Sequence, residues 1–273
     1  MDNGHWQLEG STAELYQRYL VPAITTKWAQ DLVDRAQLRA GEAVLDVACG
    51  TGVVARAAAK ARAQVTGLDL NAGMLAVART VPSEGAPINW IEGSALDLPF
   101  SSDSFDVVIC QLGLQFFPDQ GRALREMRRV LRNNGLVALS VYSPIERTPG
   151  ANAFVLALDD VLGAGASRIK RGEHSFVDTA QLAAVLKGAG FSAVDVDAVV
   201  QTIAFPSVLD YVRFQLLATP MTVLLNGRSE PERQATIESV ASKTMALSTS
   251  EMLDGGRFVF PQEAYVAVAR SAR

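Results

Sequence analysis

Val44-Leu-Asp-Val-Ala-Cys-Gly-Thr-Gly-Val-Val-Ala55 decides how this chain is read. A short apolar strand ends on a carboxylate, Asp46, and turns through a Gly-x-Gly loop straight into a helix-forming run. Gly50 and Gly52 allow a tight turn and a close approach of backbone to ligand, which a Cβ would prevent. The helix that follows aims its free N–H groups at whatever occupies the loop. Strand, glycine turn and helix in that order make a nucleotide-type cofactor site.

Two cofactor classes compete for it. Gly50-Thr51-Gly52-Val53-Val54-Ala55 also satisfies Gly-x-Gly-x-x-Ala, the dinucleotide fingerprint. A second acid, Asp69, ends Gln64-Val-Thr-Gly-Leu-Asp69 and suits ribose hydroxyls in either case. A carboxylate at the mouth of the loop, Asp46, would face the pyrophosphate of NAD. Two like charges several ångströms apart cost on the order of 2–4 kcal/mol at an effective dielectric near 20. S-adenosylmethionine brings a sulfonium and an ammonium instead, so the acid favours it.

Here the chain resembles the class I S-adenosylmethionine-dependent methyltransferases, closest to the small-molecule branch that includes the ubiquinone and menaquinone biosynthesis enzymes. The resemblance is carried by Leu45–Gly52, Gly67-Leu-Asp-Leu-Asn-Ala-Gly-Met-Leu75, Gly93-Ser-Ala-Leu-Asp-Leu-Pro-Phe100, and Ser104–Gln111 with Phe116-Phe-Pro-Asp119. A fifth segment, Leu124-Arg-Glu-Met-Arg-Arg-Val-Leu-Arg-Asn-Asn-Gly135, looks like the family's helix and turn before strand five. Together they span residues 40 to 142; each is weak alone, and their order and spacing make them specific.

Composition narrows the partners. The chain has 273 residues, 49% hydrophobic and 20% charged, which suits one domain with an elaboration. A net charge of −4 argues against a nucleic-acid surface. Arg122, Arg125, Arg128, Arg129 and Arg132 cluster, but with Glu126 on what reads as the solvated face of an amphipathic helix. The only two cysteines, Cys49 and Cys110, end predicted strands and are expected to be buried and reduced, as in a cytoplasm. Two Cys and two His at these spacings are too few for a zinc site, so no metal is expected. No run approaches a membrane span, and the N-terminus lacks a signal pattern.

Short apolar strands are expected at about 43–47, 64–69, 88–92, 105–111, 135–142, 192–204 and 262–269, with helices between them. This alternation predicts an α/β fold with a doubly wound, mostly parallel seven-stranded sheet. Residues 1–37 read as N-terminal helices, opened by Ser11 or Thr12 and reopened at Pro22. The core is expected to take 38–205 and 256–273, with 206–255 an inserted helical cap over the carboxyl ends of the strands. The last two strands, by the resemblance, form an antiparallel pair.

The resemblance implies roles residue by residue. Asp46 and the backbone of Ala48, Gly50, Thr51 and Gly52 would face the methionine moiety of S-adenosylmethionine. Asp69 would take the ribose hydroxyls, Leu70 and Met74 would flank the adenine, and Ser94, Ala95 and Leu96 would run along its edge. Gln111 would offer its carbonyl to the ammonium. Two departures stand out: the loop's first glycine is Ala48, and the usual aspartate is Ser94, which predicts a weaker adenine contact. Asp46 has a competing role as a cap on the turn.

The acceptor side is less marked. Arg18 on the first helix could pair with the methionine carboxylate or simply sit on the surface. Tyr16, Tyr19 and His174 are the catalytic candidates, His174 by its ordinary pKa. His174 lies in the polar connector Ile169-Lys-Arg-Gly-Glu-His-Ser175, which reads as an exposed loop; His5 is near the terminus. Phe154, Phe205, Phe214, Leu216, Leu217, Met221, Val223 and Leu224 make the cap apolar, and any that line a pocket would favour an apolar or aromatic acceptor. The expected function is methyl transfer to a small molecule. A non-catalytic S-adenosylmethionine-binding protein and an NAD-dependent oxidoreductase are the alternatives.

Overall fold

The computed structural model describes residues 10–271, so His5 lies outside the described residues. The strands are β1 (Ala43–Val47), β2 (Gln64–Asp69), β3 (Asn89–Glu92), β4 (Phe105–Gln111), β5 (Leu131–Tyr142), β6 (Phe191–Phe205), β7 (Leu253–Asp254) and β8 (Arg257–Ser271). The α-helices are α1 (Gly10–Leu15), α2 (Thr26–Ala36), α3 (Val53–Lys60), α4 (Ala72–Thr80) and α5 (Gln120–Val130). They continue with α6 (Pro149–Leu162), α7 (Arg168–Gly172), α8 (Thr179–Gly188), α9 (Val208–Leu217) and α10 (Glu230–Leu247).

The sheet runs β3-β2-β1-β4-β5-β8-β6, with the two-residue β7 beside β8. The pairs β2–β3, β1–β2, β1–β4 and β4–β5 are parallel. β8 is antiparallel to both β5 and β6, which makes the last two long strands the expected antiparallel pair. The seven-stranded α/β expectation therefore holds, with β7 as a short addition.

Alternation along the central strands builds the two faces. Val44, Val107 and Ile109 pack with Trp28 and Leu32 of α2 and with Val54, Ala55 and Ala58 of α3. Leu45, Val47, Val108 and Cys110 point the other way, into a core with Leu124 and Met127 of α5 and Leu182 and Leu186 of α8. Burying each large apolar side chain contributes about 1.5–3 kcal/mol, so both faces must be covered. Trp28 also donates its indole N–H to Gln262 Oε1 at 2.8 Å, tying α2 to β8.

The N-terminal region departs from the expected break. Helix runs without interruption from Gly10 to Ala36, so Ser11 and Thr12 lie inside it and Pro22 does not reopen it. Tyr16–Thr25 is wound as π-helix, with Thr26 N–H reaching Val21 O five residues back. The wider turn accommodates a proline that has no N–H to give and would crowd a tighter helix.

Between β6 and β7 the chain is helical. Its attachment is aromatic: the Tyr211 ring lies 5.1 Å from Phe205, 5.3 Å from Phe258 and 5.5 Å from both Phe154 and Phe260. α9 ends before Thr219-Pro220, and a 3₁₀ turn at Pro220–Leu225 follows it. Among the described residues no helix is long and apolar enough to cross a membrane.

Candidate functional site

A cavity of about 300 Å³ opens at the carboxyl ends of the parallel strands. Ala48 and Gly50 after β1, Asp69 to Asn71 after β2, Gly93 to Leu96 after β3, Gln111 to Gly113 after β4 and Tyr142 of β5 all line it. The N-terminal helix contributes Tyr16, Leu20, Ile24 and Thr25. Lys170 and Glu173 close it from α7 and its end, and Gln215 to Pro220 (except Leu216 and Leu217) close it from α9. This is where open α/β sheets bind ligands.

The glycine loop divides its labour. Gly50 has φ +55°, nothing stands within 4 Å of where its Cβ would be, and it faces the cavity. Gly52 has φ +86°, and a Cβ there would lie 2.3 Å from Trp90 Cη2. Gly52 is therefore needed for its backbone angle and for the indole, not for contact with a ligand. Neither Gly52 nor Thr51 lines the cavity; Thr51 is buried with its hydroxyl unpartnered. Ala48 occupies the left-handed region at φ +57° without a glycine.

Asp69 stands at the mouth of the loop. Its Oδ2 accepts from Gly50 N–H at 2.7 Å and its Oδ1 from Asn71 N–H at 2.8 Å. Burial raises this carboxyl above the ordinary range, against hydrogen bonds that lower it. Met74, at the start of α4, is buried and lines the cavity; Leu70 lines it too, 53% exposed. Ser94, Ala95 and Leu96 share the wall, with Ser94 Oγ accepting from Leu96 N–H at 3.1 Å. Gln111 donates its side-chain amide to Thr25 O at 3.1 Å and leaves Oε1 buried without a partner.

Several expected positions fall elsewhere. Asp46 does not face the cavity: it is 1% exposed, and its Oδ2 caps α3 by accepting from Ala55 N–H at 2.9 Å. Burial pushes its carboxyl up to about 8, so it is largely protonated at neutral pH. The like-charge argument against a dinucleotide therefore cannot run through Asp46. Arg18 is exposed on the outer side of the helix, 5.2 Å over the Tyr19 ring, and Tyr19 stacks on Phe214 at 3.9 Å. Both belong to a separate surface groove, because successive helix positions point to different sides.

His174 is neither exposed nor in the cavity. It is 8% exposed, stacks on Tyr142 at 4.9 Å, and donates from Nδ1 to Ser143 O at 2.7 Å. Burial, and then the nearby Lys170 charge, push it down to about 3, so it stays neutral. The segment read as a polar connector instead forms α7 and packs inward. Tyr16 alone of the three catalytic candidates lines the cavity, and burial pushes its phenol up to about 12, with Asp69 and Glu173 adding to the rise. Its phenol is thereby held in the neutral, hydrogen-bonding form. None of the eight apolar cap residues named above lines the cavity; its apolar wall comes from Leu20, Ile24, Phe116, Phe117 and Tyr142.

Sequence reasoning missed Lys170, Glu173 and Gln215. Lys170 Nζ and Glu173 Oε2 form an ion pair at 2.6 Å, with side chains 8% and 7% exposed. Their spacing of three is also that of a surface helix pair, and Gln215 sits in an apolar run, so neither carried a distinguishing signal.

Residues 45–139 match the family model described as a methyltransferase domain. Demethylmenaquinone methyltransferase of Staphylococcus epidermidis is 36% identical over 113 residues, which is 40% of this chain and 47% of that enzyme. The chain thus spans about half the length of the curated relatives it matches. The YcgJ protein of Bacillus subtilis superposes with a TM-score of 0.55 at 21% identity, covering 90% of this chain and 98% of that one. Phosphoethanolamine N-methyltransferase 2 of Haemonchus contortus, in complex with phosphomonomethylethanolamine and S-adenosylhomocysteine, gives 0.57 at 19% identity, covering 90% of this chain and 53% of that one. At such identities the superpositions establish the fold. The cavity wall from Ala48 to Gly113 lies wholly within the matched residues. Tyr16, Tyr142, Lys170, Glu173 and Gln215 lie outside them.

Proposed function

We propose that the protein transfers a methyl group from S-adenosylmethionine to a small-molecule acceptor. The observation that carries this reading is the Asp69–Gly50 pairing at the cavity mouth, inside a matched methyltransferase domain. S-adenosylmethionine, when bound, supplies an electrophilic methyl group on a sulfonium. The residues fit it: Asp69 would hold the ribose hydroxyls, Leu70 and Met74 would flank the adenine, and Ser94 to Leu96 would follow its edge. The orphaned Oε1 of Gln111 suits the ammonium, a role first given to the residue's carbonyl. Ala48 and Gly50 would face the methionine part. Chemistry then needs little beyond alignment and exclusion of water, which can supply about 7–11 kcal/mol in ideal cases.

The acceptor is small and carries an apolar or aromatic part, to match Phe116, Phe117 and Tyr142. That demethylmenaquinone is the acceptor of the named relative agrees with this class without fixing the compound. We place the reaction in the cytoplasm, in keeping with two buried free thiols, Cys49 and Cys110, and we expect no nucleic-acid partner from a net charge of −4. The test is calorimetric titration of the purified protein with S-adenosylhomocysteine and, separately, with NADH. Tight binding of the first is expected; tighter binding of NADH overturns the proposal.

A further inference from the structure

Charge is buried in the cavity wall at some cost. Lys170 and Glu173 are 6% and 5% exposed, and desolvating such a pair offsets most of its own attraction. Well-packed apolar residues commonly serve stability as well, so the pair at a cavity wall calls for a role in binding. Gln215 adds a second, independent observation. It is 2% exposed, it lines the same cavity, and its Oε1 has no hydrogen-bond partner. An orphaned buried acceptor is destabilising unless something donates to it.

The chemistry of the three groups selects the ligand. Lys170 carries three N–H donors and gives one to Glu173, whereas Glu173 and Gln215 Oε1 accept. A hydroxyl donates once and accepts twice, so it can satisfy Gln215 while taking a hydrogen bond from Lys170. A ketone or ether oxygen would leave Gln215 orphaned. Lys170 Nζ stands 5.7 Å over the Tyr142 ring, which also stacks on His174, and the aromatic side chains of Phe116 and Phe117 line the same cavity. α7 packs against the 3₁₀ turn Pro220–Leu225 that follows α9, and the ion pair and Gln215 line the same cavity. Asp69, Ser94 and Gln111 belong to the strand ends assigned above to the cofactor.

We propose that Lys170, Glu173 and Gln215 form the acceptor subsite and that it takes an aromatic ring bearing a free hydroxyl. This rests on the methyl-transfer reading for the word acceptor, but the subsite can be tested without any turnover. 4-Nitrophenol and nitrobenzene are titrated onto the full chain, with and without saturating S-adenosylhomocysteine. The phenol is expected to bind at least about tenfold tighter than its hydroxyl-free analogue, because only it satisfies Gln215. Because the hydroxyl donates, the bound probe is expected to be the neutral phenol, so the visible phenolate band at neutral pH falls on binding.

Gln215→Leu is expected to abolish the preference while leaving S-adenosylhomocysteine affinity intact, which reports that the variant is folded. The unmodified protein carries the decisive comparison should that variant fail to fold. Equal affinity for the two probes, binding of neither, or a rise in the phenolate band overturns the subsite. Hydroxyl preference without S-adenosylhomocysteine binding supports the subsite and removes the methyl-transfer reading. Binding of S-adenosylhomocysteine without hydroxyl preference does the reverse.

Discussion

Asp46 Oδ2 accepts the Ala55 N–H at 2.9 Å, joining the end of β1 to the first turn of α3 inside a fully buried site. The bond explains why an acid ends the strand: it satisfies one of the donors a helix leaves free at its start. It also has a cost that depends on pH. The folded carboxyl stands at about 8 against an ordinary value of 3.8, so the native state holds a proton that the unfolded chain releases. The stability this proton confers is complete below about pH 4 and is lost as pH rises towards 8. Relative to Asp46→Asn, the native protein should lose about 1.4 kcal/mol per pH unit across that window. Urea unfolding of both proteins at several pH values checks it; parallel profiles would remove the assignment.

His174 should give the opposite slope. Its folded value of about 3 lies below the ordinary 6.5, so between these values the unfolded chain binds a proton that the native state refuses. The stability contributed by the neutral ring is present above pH 6.5 and is lost as pH falls towards 3. His174→Gln keeps a donor for Ser143 O, and against it the native protein should weaken by about 1.4 kcal/mol per unit as the solution is acidified. In the native profile alone the Asp46 and His174 effects oppose each other between about pH 4 and 6.5, so only the two difference profiles separate them.

Asp69→Ala should weaken S-adenosylhomocysteine binding by more than about tenfold, through loss of charge-assisted hydrogen bonds to the ribose hydroxyls. The carboxylate also anchors Gly50 and Asn71, so the loop loosens at the same time. Calorimetry measures the effect, and circular dichroism shows whether the fold survives. Unchanged affinity would take Asp69 out of the cofactor site.

How much of this was legible in the sequence depended on the range of the interaction. The strands from β1 to β5 are readable because apolar runs bounded by Gly, Asp and Pro follow local rules; Asp69 and Ser94 to Leu96 at or after strand ends, and Met74 in the first turn of α4, line the cavity. Asp46 lies near the end of β1, but of the two roles its position suggests, facing the methionine moiety or capping the turn, its carboxylate is placed as the cap. Motif order fixes where a residue falls along the chain, whereas the direction of a carboxylate depends on the neighbouring helix start. Arg18 and Tyr19 failed for a related reason, since only the packed helix decides which side faces inward. The segment from Ile169 to Ser175 was the largest miss. Its charged residues read as solvated, but α7 buries Lys170, Glu173 and His174 together behind Tyr142, a contact between residues far apart in the chain. No local pattern separates such a pair from an ordinary surface one.

Ala48 offers a test of stored strain at the cavity mouth. It sits at φ +57°, where the Cβ of an L-residue meets the following carbonyl at a cost of about 1–2 kcal/mol. Glycine avoids that cost but gives back about 0.4–1 kcal/mol through a freer unfolded chain. Ala48→Gly should therefore stabilise the protein by about 0.5–1 kcal/mol, raising Tm by roughly 1–4 °C for a chain of this size. Differential scanning calorimetry reads the shift directly. Its absence, with S-adenosylhomocysteine affinity unchanged, would mean that the loop already relaxes around the alanine. Ala48 would then be an equal replacement for a glycine at this turn and not a strained one.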